Sequence, residues 1–273
     1  MDTAEHDLIV ETFRKAMTGS SGAALDAALD ELGWADLLAE EPDTAIPVVF
    51  TLLGETGSHA SVLNDVVAQA GGEPLGTTVT LPFTGGRWVR WERADAPAAQ
   101  PPSEGAGDLL DPTLPLRLAE PGDPDLHLAA ARRALGWWLL GTGRAMLALA
   151  REHALARTQF GRPIASFQAV RHRLAETLVA LEGAEATLNA ATASPEPFTC
   201  LLAKAAAGRA SLDAARHCQQ VLAGIGFTAE HDFHHHLRRT LTLDGLLGSA
   251  RDLTRQAGAH IREQGHAPRL INL

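Results

Sequence analysis

The sequence predicts a mainly α protein: a C-terminal up-down helical bundle behind an N-terminal helical region and a short β middle segment. Three observations carry this prediction. Apolar and small residues recur at helical spacing through almost all of 123–266. Gly and Pro cut that stretch into long runs with short connections, and helices so connected pack antiparallel. One segment, 71–122, instead alternates with β-prone residues and is too short for a full sheet domain. The expected division is therefore 1–70, 71–122 and 123–273.

In the first zone, Leu8, Ile9, Phe13 and Met17 fall near helical spacing, as do Leu25, Ala28, Leu29, Leu32 and Leu37, with Gly33 and Pro47 expected to punctuate. In the second, "TTVTLPF" and "RWVRWER" read as strands joined across Thr84-Gly85-Gly86 in a hairpin. "DAPAAQPPSEGAGD" follows and reads as a flexible loop. In the third, helices are expected over about Leu126 to Arg157, Ser166 (as N-cap) to Ala193, from the break at Pro195 and Pro197 to about Leu222, His231 to Leu243, and from Gly248 to about Glu263. Gly224 fits the stop of the third.

Composition narrows the function. The 273 residues carry a net charge of −10, which argues against a nucleic-acid face, since phosphate neutralisation needs clustered Lys and Arg. The two cysteines, Cys200 and Cys218, offer neither a disulfide framework nor a zinc spacing. The acidic start lacks a basic stretch followed by an apolar one, and the run Ala134 to Ala150 is short and broken by Arg144 and glycines. A cytoplasmic protein without membrane or nucleic-acid partners is expected.

Two corners of the bundle carry unusual chemistry. "RTQFGRP" puts Arg157, Gln159 and Phe160 at the end of the first bundle helix. A cation there is favoured by the helix dipole alone; equally, a guanidinium, an amide and an aromatic ring can hold a phosphate and stack a base. "QQVLAGIGF" ends the third bundle helix with Gln220 beside Gly224 and Gly226, where a ligand could approach the backbone closely.

"RTQFGRPIASFQAVRHRLAE", followed by "QVLAGIGFTAEHD", resembles the C-terminal half of the acyl-CoA dehydrogenases, from about residue 126 to 262. "ELGWADLLAEE" is similar to that family's first helical segment. The resemblance implies an N-terminal helical domain, a middle β domain and a C-terminal four-helix up-down bundle, against which this chain has a shortened N-terminal helical region and a vestigial β middle segment, with FAD as the cofactor for α,β-desaturation of an acyl thioester. It implies that Arg157, Gln159 and Phe160 touch the FAD diphosphate and adenine. It implies that Gln220 and Gly224 contact the ADP half of a cofactor held mainly by a neighbouring subunit. Ala223 stands where the family usually has Gly.

The family's base is a Glu on the loop after the fourth bundle helix, and the acid the resemblance supplies there is Asp244, in an Asp-Gly pair that also suits a plain turn. Relatives that carry the base on the first bundle helix have no counterpart here: "ARRALGWW" brings Arg132 and Arg133. With its middle domain cut down, the chain resembles the degenerate partner in heteromeric relatives, several of which act on steroid side-chain CoA thioesters. The implied partner is a full-length acyl-CoA dehydrogenase subunit, the implied substrate an acyl-CoA, and the implied cofactor an FAD shared across the interface. The other reading is a noncatalytic helical assembly module that has lost flavin.

The cluster His231, Asp232, His234, His235 and His236 is read as no metal site, because consecutive histidines on a helix diverge. Trp137 and Trp138 read as core or interface packing. Arg238 and Arg239, like Arg171, His172 and Arg173, read as a solvated or salt-bridged face.

Overall fold

The computed structural model describes residues 3–93 and 110–267. The "DAPAAQPPSEGAGD" segment, expected to be a loop, lies outside the described residues.

Five short helices open the chain: α1 (Thr3–Gly19), α2 (Ala23–Glu31), α3 (Trp34–Glu40), α4 (Pro42–Thr56) and α5 (Val62–Gly71). Phe13, Met17, Leu25 and Leu29 are buried, as their spacing predicts, whereas Leu8 is exposed. Gly33 does punctuate, in a left-handed conformation (φ 78°) that starts α3. Pro47 does not. The α4 helix starts at Pro42, where a missing N–H costs nothing, and carries Pro47 through its second turn.

The middle segment forms β1 (Thr80–Phe83), β2 (Arg87–Trp91) and β3 (Leu116–Ala119), an antiparallel sheet in the order β1-β2-β3. The expected hairpin is present, with Leu81 opposite Val89 and both buried. The third strand was not legible in the sequence. Trp91 at the end of β2 packs on Trp138 of the bundle, ring centroids 5.5 Å apart, and Phe50 of α4 meets the same indole edge-on at 5.8 Å. Trp138 is fully buried and Trp137 nearly so, which makes the pair core.

The bundle consists of α6 (Leu128–Ala156), α7 (Gln168–Ala193), α8 (Pro197–Leu222) and α9 (Asp232–Gly245), with α10 (Ala250–Gln264) packed outside on α8. Small residues set its direction. A Cβ on Gly136 would meet Leu188 of α7 and Ala207 of α8; one on Gly143 would meet Leu181 and Ser211. As α6 rises, α7 therefore falls and α8 rises. Ser211 lies 3.3 Å from Thr240, and Phe233 joins Cys218 in one apolar cluster, so α9 falls again. This is the up-down order the short connections predict.

Helix ends differ from expectation in two places. Ser166 is not the N-cap of α7. It sits in a short 3-10 turn and donates to the Pro163 carbonyl at 2.8 Å, while Phe167 occupies the cap position. The α8 helix stops at Ala223, not Gly224, with Ala223 at φ 53°.

Candidate functional site at one end of the bundle

Because α6 and α8 run parallel, both unusual corners emerge at the same end of the bundle. Apolar packing joins their bases: Met146, Ala150 and Ala154 of α6 share a cluster with Val221 and Leu222 of α8, against which Ile164 packs. Burial lowers the pKa of His153 of α6, and its neighbours Arg157, at the first corner, and His231, which caps α9 after the second, act in the same direction.

The first corner is a miniature hairpin, with β4 (Thr158–Gln159) antiparallel to β5 (Arg162–Pro163). Its two turn residues, Phe160 and Gly161, have φ values of 52° and 76°. Two successive positive φ angles match a type I′ turn. Gly161 adopts this freely; an aromatic residue does so only under constraint. The constraint is visible: Phe160 meets Phe167 edge-on at 6.1 Å, and the Arg162 guanidinium stacks over Phe167 at 4.4 Å. Phe160 is left 91% exposed, which for a strained aromatic side chain means presentation outward.

The second corner is the 3-10 turn Ala223–Phe227. Gln219 braces it by donating to the Gly226 carbonyl at 3.2 Å, leaving Gln220 exposed on the outer side. Gly224 has open space where a Cβ would stand. Phe227 is 70% exposed. Arg157, Gln159 and Gln220 are all exposed, and their side chains have no hydrogen-bond partner among the described residues. The structure thus brings Arg157, Gln159, Phe160, Gln220 and Gly224 to one end, with their polar groups available to an external ligand.

Asp244 is elsewhere. It lies in the last turn of α9, not in the loop that follows, and α9 and α8 carry it to the opposite end of the bundle. The corner proper is Leu246 to Ser249, which has no acid. The Asp244 carboxylate accepts from the Ala250 N–H at 2.9 Å, satisfying a first-turn donor of α10. It also lies 4.0 Å from the ammonium of Lys204. Lys204 is fully buried on α8, and burial pushes its pKa down to about 8. It donates to the main-chain carbonyls of Asp244, at 2.6 Å, and Gly248. Leu247, at φ 58°, donates its N–H to the Pro82 carbonyl, and Leu246 bridges to Phe83. Three non-glycine residues have positive φ among the described residues, and each falls in one of these three corners.

Arg239, read from sequence as part of a solvated or salt-bridged face, is salt-bridged but buried, 1% exposed. Its Nε reaches the equally buried Asp111 at 2.5 Å, and its Nη1 the Ser58 carbonyl at 2.9 Å. Nothing near Arg239 in the sequence announces Asp111, 128 residues away. His235 bonds the Gly57 carbonyl at 2.8 Å and His236 is buried, so the histidine run serves the junction between bundle and N-terminal helices.

The family profile of the acyl-CoA dehydrogenase C-terminal domain matches residues 126–261. Acyl-CoA dehydrogenase IpdE2 of Mycobacterium tuberculosis is 32% identical over 268 residues, covering 96% of this chain and 79% of that one. The chain belongs to the acyl-CoA dehydrogenase family. Acyl-CoA dehydrogenase FadE34 of the same organism is 42% identical over 130 residues, 45% of this chain but 17% of its own. Among solved structures, the Tcur3481-Tcur3483 steroid ACAD matches with TM-score 0.72 and 18% identity over 96% of this chain and 99% of that one. The ChsE4-ChsE5 complex from Mycobacterium tuberculosis matches with TM-score 0.67 and 17% identity over 98% and 99%. At such identities these matches speak to the fold. Acyl-CoA dehydrogenase family members are oxidoreductases that use FAD. No helix among the described residues is long and apolar enough to cross a membrane.

Proposed function

We propose that this chain is the flavin-completing subunit of a hetero-oligomeric acyl-CoA dehydrogenase. Its partner is a full-length family member that binds an acyl-CoA and carries the base for α,β-desaturation. The observation that carries this reading is the contrast between the two ends of the bundle. At one end, Arg157, Gln159, Phe160 and Gln220 are exposed, the side chains of Arg157, Gln159 and Gln220 have no hydrogen-bond partner among the described residues, and Gly224 has open space beside it. At the other, the α9–α10 corner presents Leu247, and the acid nearest to it in sequence, Asp244, is engaged by Ala250 and Lys204.

The residues suit the nucleotide end of FAD. Arg157 would offer charge-assisted hydrogen bonds to a diphosphate, Phe160 a face for adenine, and the open Gly224 backbone a close approach. When bound, FAD supplies the hydride acceptor; this chain supplies orientation and closure. In this reading Asp244 ends α9 and secures α10, and the proton at the acyl α-carbon is taken by the partner's residue. The partner arrangement and a bulky substrate of steroid side-chain type are supported by the likeness to the ChsE4-ChsE5 complex and the Tcur3481-Tcur3483 steroid ACAD, and a cytoplasmic location by the two unpaired cysteines.

Absorbance separates this from the assembly-module reading. The chain and its partner subunit are purified separately and together, and visible spectra recorded. Flavin retained by the complex, and lost when Arg157 and Gln220 are both replaced by Ala, supports the clasp. A colourless, stable oligomer in every preparation would favour the assembly module.

A further inference from the structure

A cleft of about 360 Å³ opens beside the α9–α10 corner, at the end of the bundle the flavin clasp does not use. One wall is the β1–β2 turn, Thr84 to Gly86; the other is α10, with Asp252 and Gln256. Arg132 of α6 and Leu247 of the corner line it between them.

The two charged residues that line this cleft, Arg132 and Asp252, do not pair with each other. Arg132 gives its Nε to the Leu247 carbonyl at 3.3 Å and has no carboxylate partner among the described residues. Burial lowers its pKa, so the guanidinium has lost water without gaining an anion. Asp252 does not supply one. Its Oδ2 accepts from Ser249 at 2.7 Å and Thr84 at 3.1 Å, and its Oδ1 from Arg255 at 3.1 Å. Behind the turn, exposed Arg87 stacks over Phe83 at 5.0 Å and gives its Nε to the Thr84 carbonyl, which holds the wall in place. The rim is open, since nothing stands within 4 Å of where a Cβ on Gly86 would be.

We propose that this cleft binds a small oxyanion, the carboxylate or phosphate end of a ligand, on the guanidinium of Arg132. Arg132 has its Nη groups for a two-point contact, the geometry in which Arg holds carboxylate or phosphate best. The volume suits a small acid or the anionic end of a larger ligand. The site is built from this chain alone and does not depend on the flavin reading.

The test titrates the full-length chain with inorganic phosphate and, separately, with succinate, by calorimetry at constant ionic strength with chloride as the control anion. Saturable binding of at least one is expected; which one binds distinguishes a phosphate end from a carboxylate end. Arg132→Gln should weaken it by about tenfold, the scale of one charge-assisted contact. Because Arg132 also holds Leu247, a second pair of variants guards against misfolding. Gln256 is exposed at the rim, so Gln256→Glu should weaken binding and Gln256→Lys should tighten it, both with unchanged melting. Absence of saturable binding for both anions overturns the proposal. So does binding that is indifferent to the sign of the charge at position 256.

Discussion

The ammonium of Lys204 lies 2.6 Å from the main-chain carbonyl of Asp244 and 4.0 Å from its carboxylate. A cation buried on α8 thereby ties the end of α9 to the start of α10. Replacing Lys204 by Met would leave two buried carbonyls and a carboxylate uncompensated, at a cost of about 3 kcal/mol. Urea denaturation should show this as a lower midpoint at unchanged slope.

Asp244→Asn separates structure from chemistry. It keeps the volume but weakens the acceptor for Ala250 N–H and the partner of Lys204, and should cost about 2 kcal/mol. In the complex with the partner subunit, kcat for desaturation should stay within about twofold of wild type, because a lost catalytic base costs at least about a hundredfold. A drop of that size with unchanged melting would make Asp244 the base.

Gly141 tests the seam between α4 and α6. A Cβ there would collide with the backbone of Thr51, as one on Gly54 would with that of Trp138. Backbone cannot yield as a flexible side chain can, so Gly141→Val should destabilise by about 3 kcal/mol. Gly183, with open space around it, is the control: Gly183→Ala on an exposed part of α7 should stabilise by about 1 kcal/mol. Paired thermal melts check both.

Acid should loosen the junction between bundle and N-terminal helices. Burial, aided by neighbouring cations, pushes the pKa values of His59 and His236 down to about 4 from an ordinary 6.5. Between those limits the unfolded chain binds more protons, so stability falls as pH drops from 6.5 toward 4. Asp111 adds to the loss further down. Burial works to raise its pKa, but the charge of Arg239 and hydrogen bonds from Thr113 and Arg239 outweigh it and hold the carboxyl below its usual range. The stability it contributes is present above its unfolded pKa and disappears as pH falls through the folded one. Denaturation at stepped pH should show this decline, and His236→Leu should flatten its upper part.

Much of this architecture was legible because its causes are local. The lengths of α6, α7 and α8 follow from runs of small and apolar residues between Pro, Gly and the corner motifs. The β1–β2 hairpin follows from alternation around Gly85-Gly86. The motif residues at the two corners were readable because their order and chemistry resemble a family.

What the sequence determined by itself was the helical order, the hairpin and which polar residues stand at the two motif corners, after α6 and after α8. Tertiary structure alone decided that Asp244 points inward, that Lys204 is fully buried, that Arg239 pairs with Asp111, and that β3 completes a sheet. Lys204 meets Asp244 across 40 residues and Arg239 meets Asp111 across 128, β3 needs β2 across the intervening residues, and burial of a charge is set by what packs over it, which no local pattern encodes.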